Sequence, residues 1–308
     1  MKISRYPLTD DLWTVIAPLI GDSFFGSKGF ANLWNTKGGK PIYWVAEDTE
    51  RILAVLPGVE FGIKPFKRFY AMPNGCYSRI FYDPHVSVED ERIARMMLDS
   101  LAAADYVKIF IYDFYQSLPF DSRFGIETCT TTLVDISDAD WQPPDSKLRQ
   151  EIRKAVKEGI QVEKFDQQTK FSQFLHLVRL SEKQAGRKCI YSAEFFNALA
   201  GLAKEDNRVQ WIWCEHNRKA VASLICFIED DMVFAWQAYY DKTFSFLRPN
   251  KYMLFVTARE QALKGVRRLN LGASPEEVQG VVFFKKKWGG VPYDYNCYVM
   301  RKGLGKLL

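Results

Sequence analysis

With 308 residues, 47% of them hydrophobic and 15% aromatic, the chain can bury a substantial core and holds one large or two ordinary domains, which excludes a disordered protein. A formal net charge of +5 is modest for this length, so it permits an anionic ligand without demanding nucleic acid, for which a concentrated basic face is better evidence, and no DNA partner is expected. Cys76, Cys129, Cys189, Cys214, Cys226 and Cys297 are scattered without a Cys-x-x-Cys pair, and His85, His176 and His216 stand far apart, so a reduced, cytoplasmic protein without a metal site is expected.

From the N-terminus, Asp10 and Asp11 interrupt Met1-Lys2-Ile3-Ser4-Arg5 before any apolar stretch, so no secretory signal is expected, and no apolar run approaches the roughly 20 residues of a membrane helix. Pro41 to Glu47 and Ile52 to Phe61 read as strands around an Asp-Thr-Glu-Arg turn, Val86 to Ala104 as an amphipathic helix, and Val107 to Asp113 as a buried strand. Strand Thr130 to Ile136 leads into the polar stretch Ser137 to Asp145, with Asp138, Asp140, Pro143 and Pro144. This stretch marks a boundary between an N-terminal domain, residues 1–140, and a C-terminal one, residues 141–308.

Next, Lys147, Arg149, Arg153, Lys154 and Lys157 crowd one helix, with Arg149, Arg153 and Lys157 four apart on one face. That face suits a phosphate or nucleic-acid backbone, and a solvated face partly neutralised by Glu151 and Glu158 is the plainer account. Helices near Thr169 to Gln184 and Ser192 to Lys204 carry Phe171, Phe174, Leu175 and Val178, then Phe195, Phe196, Leu199 and Leu202, at core spacing; Ser192 followed by Glu194 suits a helix start. Val209 to Glu215 and Ala220 to Ile228 read as strands around a His-Asn-Arg-Lys turn, followed by strand Met232 to Tyr239, helix Asn250 to Lys264 and strand Arg267 to Leu271. The order repeats that of the first half at an offset of roughly 160 residues, too long for a solenoid and right for a duplicated domain.

The last fifth carries the most particular pattern: Leu269-Asn270-Leu271-Gly272-Ala273-Ser274, then Gly280, then Phe284-Lys285-Lys286-Lys287-Trp288-Gly289-Gly290 and Pro292. Upstream, Tyr240-Asp241 and Leu247-Arg248-Pro249-Asn250-Lys251-Tyr252-Met253-Leu254 place a strand end at an acidic residue and a helix start at an Arg-Pro. Further upstream, Arg149, Ile152, Arg153, Lys154, Ala155, Glu158, Gly159 and Val162 form a basic helix and a Gly turn. These three ordered blocks, over roughly residues 147–296, resemble the FemAB-like branch of the GNAT acyltransferase superfamily. The resemblance implies an α/β (α+β) fold of two GNAT-like domains, each a mixed, mostly antiparallel sheet flanked by helices, and an enzyme that transfers an acyl group to an amine.

A GNAT acyltransferase holds the thioester carbonyl and the pyrophosphate of acyl-CoA on backbone N–H groups, the latter at a helix N-terminus. Here the corresponding segment reads Ser245-Phe246-Leu247-Arg248-Pro249-Asn250, without the Gln/Arg-x-x-Gly-x-Gly/Ala turn of that family. The departure matches the FemAB branch and leaves open whether the donor is acyl-CoA, acetyl-CoA included, or an aminoacyl-tRNA. Arg248, Pro249 and Asn250 are the candidate donor-binding residues, because proline at the first helical position preorganises an anion-facing helix start.

By resemblance, Lys285 faces the acceptor cleft, where an ammonium beside a developing oxyanion is worth more in the transition state than in the ground state. Lys285, Lys286 and Lys287 point in different directions on a helix, so a solvated cluster is the alternative. Asp241 is either a general base for the incoming amine or a turn cap. Trp236, Tyr239 and Tyr240 offer an aromatic wall that suits an apolar or sugar-bearing acceptor, and the acceptor expected is a small-molecule or peptide-like amine.

No Gly-x-Ser-x-Gly motif and no Cys-His neighbours are present, which favours direct attack by the amine without a covalent enzyme intermediate. Two alternatives stand beside this reading. One is a peptidoglycan-bridge type transferase using aminoacyl-tRNA, which the basic helix would serve although no heptad insertion is seen; the other is a non-catalytic binding module on the same fold.

Overall fold

Where apolar residues run without a polar break the chain forms strands buried on both faces, as in Ile42 to Ala46 and Leu53 to Val59. The structure, a computed structural model, describes residues 1–49, 51–85, 90–274 and 279–306. It divides into two compact units, one of Met1–Cys129 with Asp294–Leu308 and one of Thr130–Tyr293.

The first unit contains β1 (Lys2–Pro7), α1 (Asp10–Ile20), α2 (Lys28–Leu33), β2 (Lys40–Glu47), β3 (Ile52–Phe61), β4 (Arg68–Ala71), β5 (Phe81–Tyr82), α3 (Asp90–Ala103) and β6 (Lys108–Asp113). Its strand order is β1-β2-β3-β4-β6, antiparallel except for the parallel pair β4 and β6, and a last strand from the C-terminal segment pairs antiparallel with β6. Ile93, Ala94, Met97, Leu98 and Leu101 of α3 lie on the sheet with Leu56, Phe69 and Ile109, and this apolar face is what makes the helix form there.

After β7 (Gly125–Asp135), which crosses into it, the second unit runs α4 (Ser146–Lys157), β8 (Gln161–Lys164), α5 (Gln167–Gln184), α6 (Ala193–Glu205), β9 (Val209–His216), β10 (Lys219–Glu229), β11 (Met232–Tyr240), α7 (Pro249–Leu263), β12 (Arg268–Ala273) and α8 (Gln279–Lys287). Its order is β8-β9-β10-β11-β12-β7, again antiparallel except for one parallel pair, β11 and β12. The closing strand of the first unit is β13 (Val291–Arg301). Asp145, Asp166 and Ser192 cap α4, α5 and α6 through their side chains. The core of this unit joins Leu148 and Ile152 of α4 to Met253, Leu254 and Ala258 of α7 and to Trp288.

The mixed α/β architecture, mostly antiparallel in the strand order of each unit, is the one expected. The division expected after residue 140 differs from the compact units, which give residues 130–140 to the second and residues 294–308 to the first. The reason is pairing: the polar stretch after β7 is a loop, but Thr131 to Asp135 already pair with β12. Glu50 of the expected turn and residues 86–89 of the expected helix lie outside the described residues.

Candidate functional site

The second unit opens a cleft where its parallel pair stops pairing. Met232, Val233 and Phe234 pair with Arg268, Leu269 and Asn270, and no further pairing follows although both strands run on. In β11 the cause is a bulge: Cys226 of β10 faces Ala235 and Ile225 faces Gln237, so Trp236 is the extra residue. In β12 the cause is Asn270, fully buried, whose Oδ1 accepts from the Thr131 hydroxyl at 2.6 Å and from the Gly272 N–H at 2.8 Å. That turn of chain needs φ of +74° at Gly272, a backbone state glycine adopts freely, and the register with β7 shifts at the same point.

The gap is a cavity of about 440 Å³, lined by Trp236 and Gln237 of β11, Leu271 of β12, Asn250 of α7, Phe284 of α8 and Arg187 among others. Trp236 Nε1 and Asn250 Oδ1 are buried and lack a hydrogen-bond partner. Leaving a buried donor or acceptor unpaired costs roughly 1–3 kcal/mol, so a wall that holds one of each is built to receive a polar ligand. Asn250 also sits in the first turn of α7, where Pro249 occupies the first helical position, no acidic residue is present, and the helix dipole favours an anion.

Arg248 takes a left-handed conformation before α7 and makes no capping bond. Its Nε lies 3.6 Å from Glu151 of α4, whose other oxygen accepts from Lys251 at 2.6 Å. Burial alone would raise the Glu151 carboxyl, but the Lys251 and Arg248 cations hold it below the ordinary carboxylate value. Two cations thus share one carboxylate, which leaves the helix start positive.

Lys285 is buried, with 4% of its surface exposed, and does not line the cleft. Its ammonium donates to the carbonyls of Gly272 at 2.6 Å and Ala273 at 2.8 Å, latching the bent end of β12 to α8. Burial pushes its pKa down to about 8. Of its neighbours, Lys286 is exposed and Lys287 lies over the Phe283 ring at 4.8 Å. Gly290, which follows, is packed closely: a Cβ there would stand 2.5 Å from Thr132 Cγ2 of β7 and 2.8 Å from the Lys285 carbonyl oxygen.

The other expected residues are placed apart from the cleft. Asp241 Oδ1 accepts from the Thr243 N–H at 2.9 Å and the Gln184 amide at 3.1 Å, and lines an open hollow with His176 and Arg218. Against burial, which would raise it, these donors hold its carboxyl below the ordinary value, which suits a cap better than a proton acceptor. Tyr239 is buried beside Cys189 and Gln237 in a cavity of about 150 Å³. Tyr240 packs on the core, and its N–H donates to the Ser181 hydroxyl at 3.3 Å. Only Trp236 and Asn250 of the expected set meet in the cleft. Asn270, Thr131 and Gly272, which shape it, were not foreseen as a unit; an Asn two residues before a Gly at a strand end is the signal that could have found them.

Among the described residues no group of three or more His, Cys, Asp or Glu is placed to hold a metal ion, and no helix is long and apolar enough to cross a membrane. None of the six cysteines is in a disulfide.

Residues 146–285, from α4 to the latch lysine, match the family model described as "Acetyltransferase (GNAT) domain". Against curated proteins the sequence finds no match. Among solved structures, FemX is similar over 99% of this chain and 99% of its own, with a TM-score of 0.74 and 12% identity. L-PGS from Bacillus licheniformis is similar over 96% of this chain and 93% of its own, with a TM-score of 0.59 and 12% identity. A GNAT-family acetyltransferase from Colwellia psychrerythraea is similar over 98% of this chain and 100% of its own, with a TM-score of 0.57 and 10% identity. At these identities the likeness is one of fold.

Proposed function

We propose that this chain, a GNAT-type N-acyltransferase of the FemAB-like branch, holds its acyl donor in the cleft between β11 and β12 and passes the acyl group to an amine by direct attack. The observation that carries this reading is the divergence of the parallel pair, which leaves a cavity of about 440 Å³ with one unpaired donor and one unpaired acceptor beside the start of α7.

The donor we assign is acyl-CoA. Its anionic end belongs at the first turn of α7, where the dipole and the surplus cation attract it, and its acyl arm runs along the free edge of β11, whose main-chain groups past Phe234 have no strand partner on that side. Trp236 Nε1–H and the Asn250 side chain supply polar contacts along the arm. In the transfer, the neutral amine attacks the thioester carbonyl carbon, the C–N bond forms, the C–S bond breaks, and the amine's proton leaves with the thiol. Positioning supplies most of the rate in such a step, which fits a cleft with few ionisable groups. Lys285 is assigned a positioning role, since it fixes the bend of β12 that keeps the cleft open.

Aminoacyl-tRNA is the second reading for the donor. It is favoured by the lack of glycine between Asp241 and Asn250, and by the exposed Lys147, Arg153, Lys154 and Lys157 of α4. A cytoplasmic enzyme with reduced thiols suits either donor.

Thermal melting with CoA, acetyl-CoA, a longer acyl-CoA and bulk tRNA at two salt concentrations separates the readings. Acyl-CoA at a hundredfold excess over Kd stabilises the folded state by about 2.7 kcal/mol, a shift of several degrees. A response to tRNA alone that fades at high salt assigns aminoacyl transfer. Indifference to all of them overturns both donor assignments and leaves a binding module.

A further inference from the structure

Glu182, in the last turn of α5, is a buried carboxylate with 8% of its side chain exposed. A charge removed from water must be paired, and its partner is Arg187 in the following loop. Gly186, with φ of +70°, turns the chain back so that the Arg187 N–H donates to the Glu182 carbonyl at 3.1 Å. The guanidinium then donates through Nε to Oε2 at 2.8 Å and through Nη2 to Oε1 at 3.0 Å. This is a two-pronged pair, which fixes the plane of the guanidinium as well as its position.

The pairing uses only one edge of the fork. Arg187 is otherwise outward-facing, with 62% of its side chain exposed, and Nη1 makes no further contact among the described residues. The free edge stands at a junction, because Arg187 and Gln237 both line the 440 Å³ cleft and both line the adjoining cavity of about 150 Å³. Tyr191, Cys189 and Tyr239 wall the smaller cavity, and Lys188 adds a second cation against the single carboxylate. A cavity of this size takes a group of a few heavy atoms, not a nucleotide. A guanidinium immobilised beforehand binds a planar anion without the ordering cost that a free arginine carries.

Resting on the reading of the cleft as the donor site, we propose that Arg187, oriented by Glu182, is a specificity-determining residue that binds a carboxylate of the acceptor. The acceptor class is then an amine that also bears a carboxylate, of amino-acid or short-peptide type, with its amine directed from the small cavity into the cleft. Tyr191 and Tyr239 give the aliphatic part of such a molecule an apolar wall.

The test compares glycine, β-alanine, glycylglycine and triglycine with their C-terminal amides, in two readouts on the same preparation. One is thiol release from acetyl-CoA; the other is calorimetric binding of each compound without donor. The wild type should favour at least one acid over its amide by tenfold or more in kcat/KM or in Kd, and Arg187→Ala should abolish that preference through KM. Because Arg187→Ala leaves Glu182 buried and unpaired, the double variant Glu182→Gln with Arg187→Ala serves as the folded control, and it too should lose the preference. Equal response to acid and amide across the series in the wild type, or a preference that survives in either variant, overturns the proposal. Titration of CoA alone reports on the donor site separately: CoA binding without a carboxylate preference refutes the acceptor assignment only. Conversely, a carboxylate preference without CoA binding refutes the donor only.

Discussion

The two units share a strand order and differ in what they do with their parallel pair. In the first, all four residues of β4 pair with Lys108 to Ile111 of β6, and Gly58 lets the Phe69 ring lie on the neighbouring strand where a Cβ would clash at 2.3 Å. In the second, three residues pair before β11 and β12 part. The helices after β4 and β11 differ in the same sense: α3 begins with Asp90 and Glu91, which already answer its dipole, whereas α7 begins Pro249, Asn250, Lys251. Single polar groups show the contrast at the pair itself. Glu60 of the first unit accepts from Arg5 at 2.5 Å and from the Tyr106 hydroxyl and lies 3.3 Å from Lys67, while Trp236 Nε1 and Asn250 Oδ1 of the second face the cleft unpaired; Trp44 Nε1 of the first unit is unpaired too. One framework, used twice, is closed on itself in one copy and left open in the other, and the open copy is where a ligand belongs.

On that contrast, the closed unit should break most severely. Glu60→Ala strands Arg5 and Tyr106 and leaves Lys67 only Asp105 at 3.6 Å, and should lower stability by about 3–5 kcal/mol in urea unfolding, with a folded fraction that still binds CoA. Loss of CoA binding in that folded fraction would argue that the site is not confined to the second unit.

Lys285 comes next. Its pKa of about 8 in the folded state lies below the 10.5 of an unburied lysine, so the unfolded chain holds the proton more tightly. The cost of burying the charge is therefore complete below pH 8 and is released as pH rises towards 10.5. Relative to Lys285→Met, the wild type should gain roughly 3 kcal/mol over that window. A difference that stays flat with pH would show that Lys285 is solvated and not the latch of β12.

Much of the framework was legible because it rests on periodicity. Ile52 to Phe61 was delimited to the residue, since the run from Ile52 to Val59 carries no charged or hydrogen-bonding side chain and is bounded by polar turns. By contrast, β1 is a half-exposed edge strand held in part by the Arg5 pair with Glu60, and Pro292 and Asp294 break the alternation of β13, so neither announces itself. The pattern from Leu269 to Gly290 was found as a motif, but its physical meaning is a latch between a bent strand and a helix, made by Asn270, Gly272 and Lys285. The cleft was illegible for a different reason: it exists where pairing ends, and the bulge at Trp236 has no periodic signature.

Smaller changes sharpen the contrast from the open side. Asn250→Asp gives α7 the acidic start that α3 has, and should weaken CoA binding about five- to tenfold, the cost of an anion placed where an anion must bind. Trp236→Phe removes an unpaired donor, so the free protein should be unchanged or up to about 1 kcal/mol more stable, while CoA binding weakens by a similar amount. A variant that loses stability and keeps affinity would show that the indole N–H serves the fold.

The most direct measurement is a calorimetric titration of CoA and acetyl-CoA into the wild type and Asn250→Asp. Binding by the wild type with one site per chain, weakened in Asn250→Asp and screened by salt, is the predicted result. No heat of binding in the wild type, or an affinity indifferent to the change at Asn250, would contradict the assignment of the acyl-CoA donor to the cleft between β11 and β12.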